Sequence, residues 1–435
     1  MQIMQFLSTE VVPALGCTEP GAVALAVSRA CEAIGSRSEV TAVRVRLSDC
    51  VYKNGIDVGI PGVDDARGSV VAAALAVFCG CYQKGLQSLE DCEAQHVRNA
   101  LSWIDTGAVT VESAPDHQGV FVEATVTTPS HSATAVILHE HGKISDVTLD
   151  GQVIEQSDER SRPGAPPMEP AAFEGTFSEL YALADSVDDD IELYVLRGVD
   201  MNRAICNEGL SLMSGDTGSL AGALASTVPD PDLGFQVRID CVAAAEARMR
   251  GSTLPVMSSS GSGNAGITAI LPVSRVAREH SVGDRTLAQS LLASHLVTSY
   301  VKHRIGRLAP VCGCVVAAGA GAAAGICRLF DADAQTAGRA IRTLLANTAG
   351  LFCDGAKESC ALKVGTAAHE AYLAAMLSLR GKGIDRPQGV IAATVEQTVD
   401  NLARLNERGL AGLDRLMIEI IEQRDRSGSV AETSR

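Results

Sequence analysis

Hydrophobic and polar positions change rhythm twice along the chain. Residues 2–14 carry apolar side chains at helical spacing and run into Pro13, and residues 19–34 repeat that spacing up to Gly35, a helix stop. At 41–48, "TAVRVRLS" alternates apolar and polar, the period of a half-buried strand. Two further helices are expected at 66–84 and 88–103. Alternation then returns in "GAVTVES", "GVFVEATVTT", "SATAVILHE" and "ISDVTLDG", separated by the turn stretches "APDHQG", "PSH" and "EHGK". This predicts an α+β N-terminal domain, 1–155, with a mixed or antiparallel sheet.

Polar, proline-rich "QSDERSRPGAPPMEP" comes next and reads as a linker over 156–170. Beyond it the alternation is gone. Helices are expected at about 171–187, 235–250, 284–304, 332–347, 361–380 and 388–407, giving an all-helical domain over 171–424. Residues 425–435 read as a flexible tail.

Composition narrows the setting. A net charge of −16 in a 435-residue chain argues against nucleic acid or an anionic membrane as partner. The uncharged run 309–327, "APVCGCVVAAGAGAAAGIC", is too rich in Gly and Ala for a membrane span and reads as a tightly packed buried helix. With no secretory signal in view, the expected location is the cytoplasm. There a disulfide framework is not expected among the thirteen cysteines. Cys31, Cys79 and Cys241 sit among Ala and Val and read as small buried apolar residues.

Five cysteines have other neighbours: Cys17, Cys312, Cys314, Cys353 and Cys360 lie beside Gly, Pro, Asp or Lys. Their spacing is not that of paired zinc knuckles, and no C-x-x-C redox pair occurs. Iron–sulfur clusters are also held by thiolates, whose positions can be far apart in sequence. On one straight helix, Cys353 and Cys360 would lie about 10 Å apart along the axis. The Asp354–Gly355 step breaks such a helix, and Asp354 can cap the helix beyond the break. On spacing alone, a cluster and scattered buried thiols both remain open.

The blocks "EVVPALGCTEPGAVALA" (10–26), "VYKNGIDVGIPG" (51–62), "SSSGSGNAGITAILPV" (258–273), "PVCGCVVAAGAGAAAG" (310–325) and "CDGAKESCALKV" (353–364) together resemble the L-cysteine desulfidase family. That family is related to the alpha-chain region of iron–sulfur L-serine dehydratases. The resemblance implies a [4Fe–4S] enzyme with three cysteine ligands: Cys353, Cys360 and either Cys314 or Cys312. Cys314 is preferred because Gly313-Cys314 and Gly319 resemble the dehydratase motif. Many serine dehydratases carry a cysteine at the extreme C-terminus. Here the last is Cys360, so the fourth iron is expected to be open to substrate.

Cys17 precedes a helix, with Thr18 as the expected N-cap. A helix start favours a thiolate, and such a thiol can serve as a base. The resemblance gives Cys17 that role. Glu19 is the alternative base, or a group that holds the substrate amine. Lys53 and Asn54 can bind a carboxylate. The loop at 258–266, with Ser260 and Asn264, can offer amides and hydroxyls to a carboxylate at a helix start. Lys357 and Lys363 can offset the charge of a cluster. His117, His131, His139 and His141 sit at expected turns and receive no role.

The implied reaction is β-elimination of L-cysteine to pyruvate, ammonia and sulfide, with L-serine or another β-substituted amino acid as the alternative substrate. A non-catalytic iron–sulfur protein and a cluster-free binding protein remain open; the lysine content is compatible with pyridoxal phosphate chemistry, but the cysteine blocks argue against it. The partner is a small amino acid, at a site expected at the domain interface; a homodimer is compatible.

Overall fold

The computed structural model describes residues 2–63, 67–117, 119–157, 175–214 and 218–432. The chain begins with α1 (Ile3–Glu10), β1 (Pro13–Ala14), α2 (Thr18–Ile34), β2 (Ala42–Leu47), α3 (Asp49–Gly55), α4 (Gly68–Phe78) and α5 (Ala94–Ile104). Five strands come next: β3 (Val109–Ser113), β4 (Phe121–Thr127), β5 (Ser132–Leu138), β6 (Ile144–Leu149) and β7 (Gln152–Gln156). After them are α6 (Phe177–Ala182), α7 (Asp189–Ser211), α8 (Leu220–Ser226), α9 (Leu233–Arg250) and the short β8 (Val256–Met257). The chain continues through α10 (Gly263–Glu279), α11 (Asp284–Ile305), α12 (Gly313–Leu329), α13 (Ala334–Thr348), α14 (Cys360–Leu379), α15 (Val395–Arg404) and α16 (Leu413–Glu432).

These elements form two compact units that interleave along the chain. One comprises Met1–Gly16, Met168–Cys353 and Glu358–Gly409; the other comprises Cys17–Pro167, Asp354–Lys357 and Leu410–Arg435. Most of the expected linker, 158–170, lies outside the described residues. The last helix, α16, continues to Glu432, into the segment expected as a tail.

The second unit holds the sheet, in the order β3-β2-β4-β5-β6-β7. The meander β4–β7 is antiparallel throughout, as its alternation predicts. On the other side of β2 the pairing with β3 is parallel, Val43 opposite Val109. A parallel partner needs a crossover, here supplied by α3, α4 and α5. Inward positions of β4 such as Val122, Ala124 and Val126 are buried against α2, which lies over β4–β6. Gly35 ends α2 with φ +80°, and its N–H bonds the Cys31 carbonyl.

The first unit is helical apart from the two-residue β1–β8 ladder. Pro13 therefore belongs to an extended segment beyond α1, not to the helix expected over 2–14. At the centre lies α12, packed among α10, α11, α13 and α14 and buried along almost its whole length. Its Gly and Ala side chains let neighbouring backbones approach. A Cβ added at Gly321 would lie 2.3 Å from the Ser294 carbonyl oxygen, so only glycine allows this separation from α11. Among the described residues, no helix is long and apolar enough to cross a membrane.

Cys79 departs from expectation. It forms a disulfide with Cys92, so it is not a lone apolar thiol. The chain turns back after α4 through a short 3₁₀ segment (Tyr82–Gln87), which returns Cys92 to the end of that helix. The same turn ends the helix expected at 66–84, and its successor begins only at Ala94.

Candidate functional site

In the first unit, two extended strips carry the thiols. The Cys312 N–H donates to the Leu351 carbonyl (2.8 Å), and the Cys353 N–H donates to the Pro310 carbonyl (2.7 Å). This small antiparallel bridge, Val311 opposite Phe352, sets Cys312 and Cys353 on adjacent strips. Helix α12 starts immediately after Cys312, its N-cap, with Cys314 in the first turn; α14 begins at Cys360. Lys363 donates to the Phe352 carbonyl (2.8 Å) and ties the first turn of α14 to the bridge. The four sulfurs are close enough that Cys314, Cys353 and Cys360 all act electrostatically on Cys312.

Cys312 is buried against Val315 and Ala367, whereas Cys314, Cys353 and Cys360 are partly exposed. The hydrogen bond between Cys312 and Cys314 splits the pair. It holds the Cys314 thiol below its usual value and pushes Cys312 well above its own; burial adds to the rise at Cys312 and opposes the fall at Cys314. Lys302, Ser262 and Arg248 further favour the Cys314 thiolate.

The glycine-rich loop reaches this group through Ser262, whose Oγ lies 3.8 Å from the Cys314 sulfur. Ser262 is the N-cap of α10 and accepts from the Ala265 N–H. Ser260 sits at φ +48°, its N–H donating to the Glu10 carbonyl (2.7 Å) and its carbonyl accepting from Lys302 Nζ (2.9 Å). The Ser260 hydroxyl is buried with no hydrogen-bond partner among the described residues. Asn264 accepts from Arg248 Nη1 (3.0 Å), and Arg248 also donates to the Gly16 carbonyl. Arg248 and Lys302 are each only 5% exposed. Two buried cations beside thiols and two helix starts make this region receptive to anions. His295, under the loop, hydrogen-bonds Ser259 (3.0 Å), and burial pushes its pKa down to about 3, so it is neutral.

In the second unit, Cys17 rather than Thr18 is the N-cap of α2. Its sulfur donates to Glu19 Oε2 (2.8 Å), Thr18 Oγ1 donates to the same oxygen (3.1 Å), and Asn54 Nδ2 donates to Glu19 Oε1 (3.0 Å). Glu19 is 5% exposed. Burial alone would raise its pKa, but His141 and the hydrogen bonds from Cys17 and Asn54 hold it below its ordinary value. The carboxylate is therefore ionised and points at a thiol.

Adjacent residues Lys53 and Asn54 diverge, as the turn of about 100° per residue in a helix requires. Asn54 serves Glu19, whereas Lys53 Nζ forms a 2.6 Å ion pair with Asp414 of α16. Asp354 does not cap α14, whose N-cap is Ser359; it pairs instead with Lys357 (2.7 Å). Lys357 and Lys363 are thus engaged with Asp354 and the Phe352 carbonyl. His141, on the β5–β6 turn, gave no signal in the sequence beyond being one of several turn histidines. Arg248 lies in the middle of an ordinary helical pattern, and Lys302 is one of a handful of lysines. The backbone at Gly355 has φ +97°, and an added Cβ there would meet the Lys53 carbonyl oxygen at 2.4 Å. This explains the Asp-Gly break between Cys353 and Cys360.

Among the described residues, no three His, Cys, Asp or Glu side chains gather as ligands of a single metal ion. A cluster asks for something else: thiolates that each bind a separate iron. Cys314, Cys353 and Cys360 are each partly exposed, and Lys302 and Arg248 favour the thiolate at Cys314.

Residues 83–419 match the family described as serine dehydratase alpha chain. That match takes in all four thiols and the glycine-rich loop, but begins after Cys17, Glu19, Lys53 and Asn54. Relatives named UPF0597 protein cover nearly the whole chain. One from Nitratidesulfovibrio vulgaris (strain Miyazaki F) is 40% identical, over 97% of this chain and 99% of its own. One from Kosmotoga olearia is 37% identical, over 97% and 99%. One from Alkaliphilus oremlandii is 36% identical, over 97% of each.

Proposed function

The chain belongs to the serine dehydratase alpha chain family, and from that premise we propose that it is a cytoplasmic iron–sulfur lyase catalysing β-elimination of L-cysteine to pyruvate, ammonia and sulfide. The observation that carries this proposal is the set of partly exposed thiols, Cys314 and Cys360 at the starts of α12 and α14 and Cys353 on the strip between them, with buried Arg248 and Lys302 acting on Cys314. Cys314, Cys353 and Cys360 would hold a [4Fe–4S] cluster; Cys312, buried in the core, would not. When bound, such a cluster supplies Lewis acidity toward the leaving group and the substrate carboxylate.

The protein's own groups do the rest. The 258–264 loop receives the substrate carboxylate on the Ser260 hydroxyl and the start of α10, with Arg248 fixing Asn264 from behind. Cys17 and Glu19 act together in moving the Cα proton: the ionised carboxylate accepts the thiol proton in its hydrogen bond, which leaves sulfur able to receive the proton from carbon. Asn54 orients Glu19. Loss of the β-substituent then gives aminoacrylate, which tautomerises and hydrolyses to pyruvate and ammonia. Cysteine is preferred to serine because sulfide is a softer ligand for iron and departs more readily than hydroxide.

The test is pyruvate release by anaerobically reconstituted protein, with each amino acid at matched concentrations. A larger kcat/KM for L-cysteine with equimolar sulfide is expected. A larger value for L-serine would make the protein a serine dehydratase, and no pyruvate from either would remove the lyase function.

A further inference from the structure

The disulfide at the end of α4 joins Cys79 to Cys92, 13 positions on. Both half-cystines are partly exposed, so a thiol reagent in solvent reaches the bond. The segment they enclose packs on α2 within the same unit. Its first part is well anchored. Arg37 donates to the carbonyls of Ala76 (2.5 Å), Val77 (3.2 Å) and Gly80 (2.7 Å). The Arg29 guanidinium lies 5.1 Å from the centre of the Tyr82 ring, and a Cβ added at Gly80 would collide with Ser28 Oγ of α2. Towards Cys92 the backbone bonds are local: Ser88 N–H to the Gly85 carbonyl (3.1 Å), Glu90 N–H to the Gln87 carbonyl (2.9 Å) and Cys92 N–H to the Leu89 carbonyl (3.1 Å). One backbone bond crosses the segment, from the Cys81 N–H to the Ser88 carbonyl (2.9 Å), and Lys84 pairs with Asp91 (2.7 Å) and Glu90 (3.3 Å) at the surface. Surface pairs contribute little. The disulfide is the covalent tie across these weak contacts.

Leu86 lies near the middle of the segment. Its carbonyl oxygen would be 3.1 Å from a Cβ at Gly21, and its side chain 3.7 Å from one at Gly142. Gly21 is two residues after Glu19 in the first turn of α2, and Gly142 follows His141, whose charge acts on Glu19. One leucine thus sits against both the helix start that carries Glu19 and the turn that carries His141. In a reducing location such as that proposed above, a disulfide is as a rule transient and redox-sensing.

We propose that Cys79–Cys92 is a redox modification site, opened by a dithiol reductant, and that its state sets how firmly Leu86 holds the supports of Glu19. One thiolate of the dithiol attacks a sulfur of the pair. The S–S bond breaks, a mixed disulfide forms, and the other cysteine leaves as a thiolate that takes up a proton. The second thiol of the reductant then displaces the first cysteine and closes the reductant's own disulfide, so two electrons and two protons in all pass to the protein. The opened segment regains the conformational freedom that the cross-link removed, and Leu86 presses less firmly on Gly21 and Gly142. Any consequence for turnover rests on the role proposed above for Cys17 and Glu19; the structural change does not.

Hydrogen–deuterium exchange of the full chain, with and without dithiothreitol, tests this without turnover. Alkylation by iodoacetamide reports the redox state: Cys79 and Cys92 should resist it before reduction and both should react after. Exchange at 83–92 should then rise about tenfold or more, within the roughly hundredfold that loop closure of this length supplies. Exchange at 21–25 and 139–143 should rise by a smaller factor, while the centres of β4 and β5 stay unchanged. A Cys79→Ser/Cys92→Ser variant should match reduced wild type and no longer respond to dithiothreitol. Leu86→Ala, with the disulfide intact, should by itself raise exchange at 21–25 and 139–143. Alkylation of both cysteines before reduction would overturn the modification site. Unchanged exchange at 21–25 and 139–143, either after complete reduction or in Leu86→Ala, would overturn its link to Glu19.

Discussion

Cys17 and Cys312 hold the same position on their helices, the N-cap of α2 and of α12, yet their surroundings are opposite. Around Cys312 and its neighbour Cys314 are buried cations, Lys302 and Arg248, and two further thiols. Beside Cys17 is an ionised carboxylate, Glu19, 2.8 Å away. A helix start alone favours a thiolate at both places. What separates them is the neighbouring charge: Lys302 and Arg248 favour a thiolate at Cys314, two residues after Cys312, whereas Cys17 donates to the Glu19 carboxylate. Cys17 and Cys314 should therefore fail in different ways when changed.

The largest expected effect is on turnover. Cys17→Ser should keep its iron and visible absorption yet lose about 10²-fold or more in kcat, the usual worth of a positioned acid–base group. Glu19→Gln should behave alike, because the two act as one unit. Near wild-type turnover in Cys17→Ser, with loss in Glu19→Gln, would break the pairing and leave Glu19 as the base.

A smaller but substantial effect concerns the fold around the carboxylate site. Lys53 and Asp414 have side chains only 2% and 16% exposed. Asp414→Ala leaves the ammonium buried without this partner and should cost about 3 kcal/mol in denaturant unfolding, as for other broken buried pairs. A loss under about 0.5 kcal/mol would place the pair with exposed ones, which contribute little.

The smallest effect is the pH dependence of Glu19. Its pKa is lowered in the folded state, so its ionised form contributes stability above the unfolded carboxylate pKa. That contribution is lost as pH falls through the folded value. The melting-temperature gap between wild type and Glu19→Gln should be widest near neutral pH and should close as the pH falls below about 4. A gap that widens in acid would mean that Glu19 is protonated in the folded protein.

The thiol region was legible only in part: each cysteine pair has a local setting, but the grouping of the two pairs came from the family resemblance. Cys312 and Cys314 are next to a helix start, and Cys353 and Cys360 flank a glycine whose positive φ the Asp-Gly step announces. The meander β4–β7 was legible, since each strand pairs with the next. The parallel partner of β2 was not, because alternation marks a strand without naming its neighbour. The surroundings of Cys17 escaped for the same reason: Asn54 and His141 reach Glu19 from 35 and 122 positions away. Lys302 shows that a charge distant from a motif in sequence can still act on it. It lies outside the cysteine blocks yet acts on Cys314, while Lys357 pairs with Asp354 and Lys363 bonds the Phe352 carbonyl beside Cys353.

The most direct test of the central claim is iron and acid-labile sulfide per chain after anaerobic reconstitution, in wild type and in single Ser variants of Cys312, Cys314, Cys353 and Cys360. Wild type should hold about four irons with a broad brown absorption, as a [4Fe–4S] cluster requires. Cys314→Ser, Cys353→Ser and Cys360→Ser should each lose them, and Cys312→Ser should keep them. Full iron and an unchanged spectrum in a Cys353→Ser/Cys360→Ser double variant would contradict the cluster assignment outright.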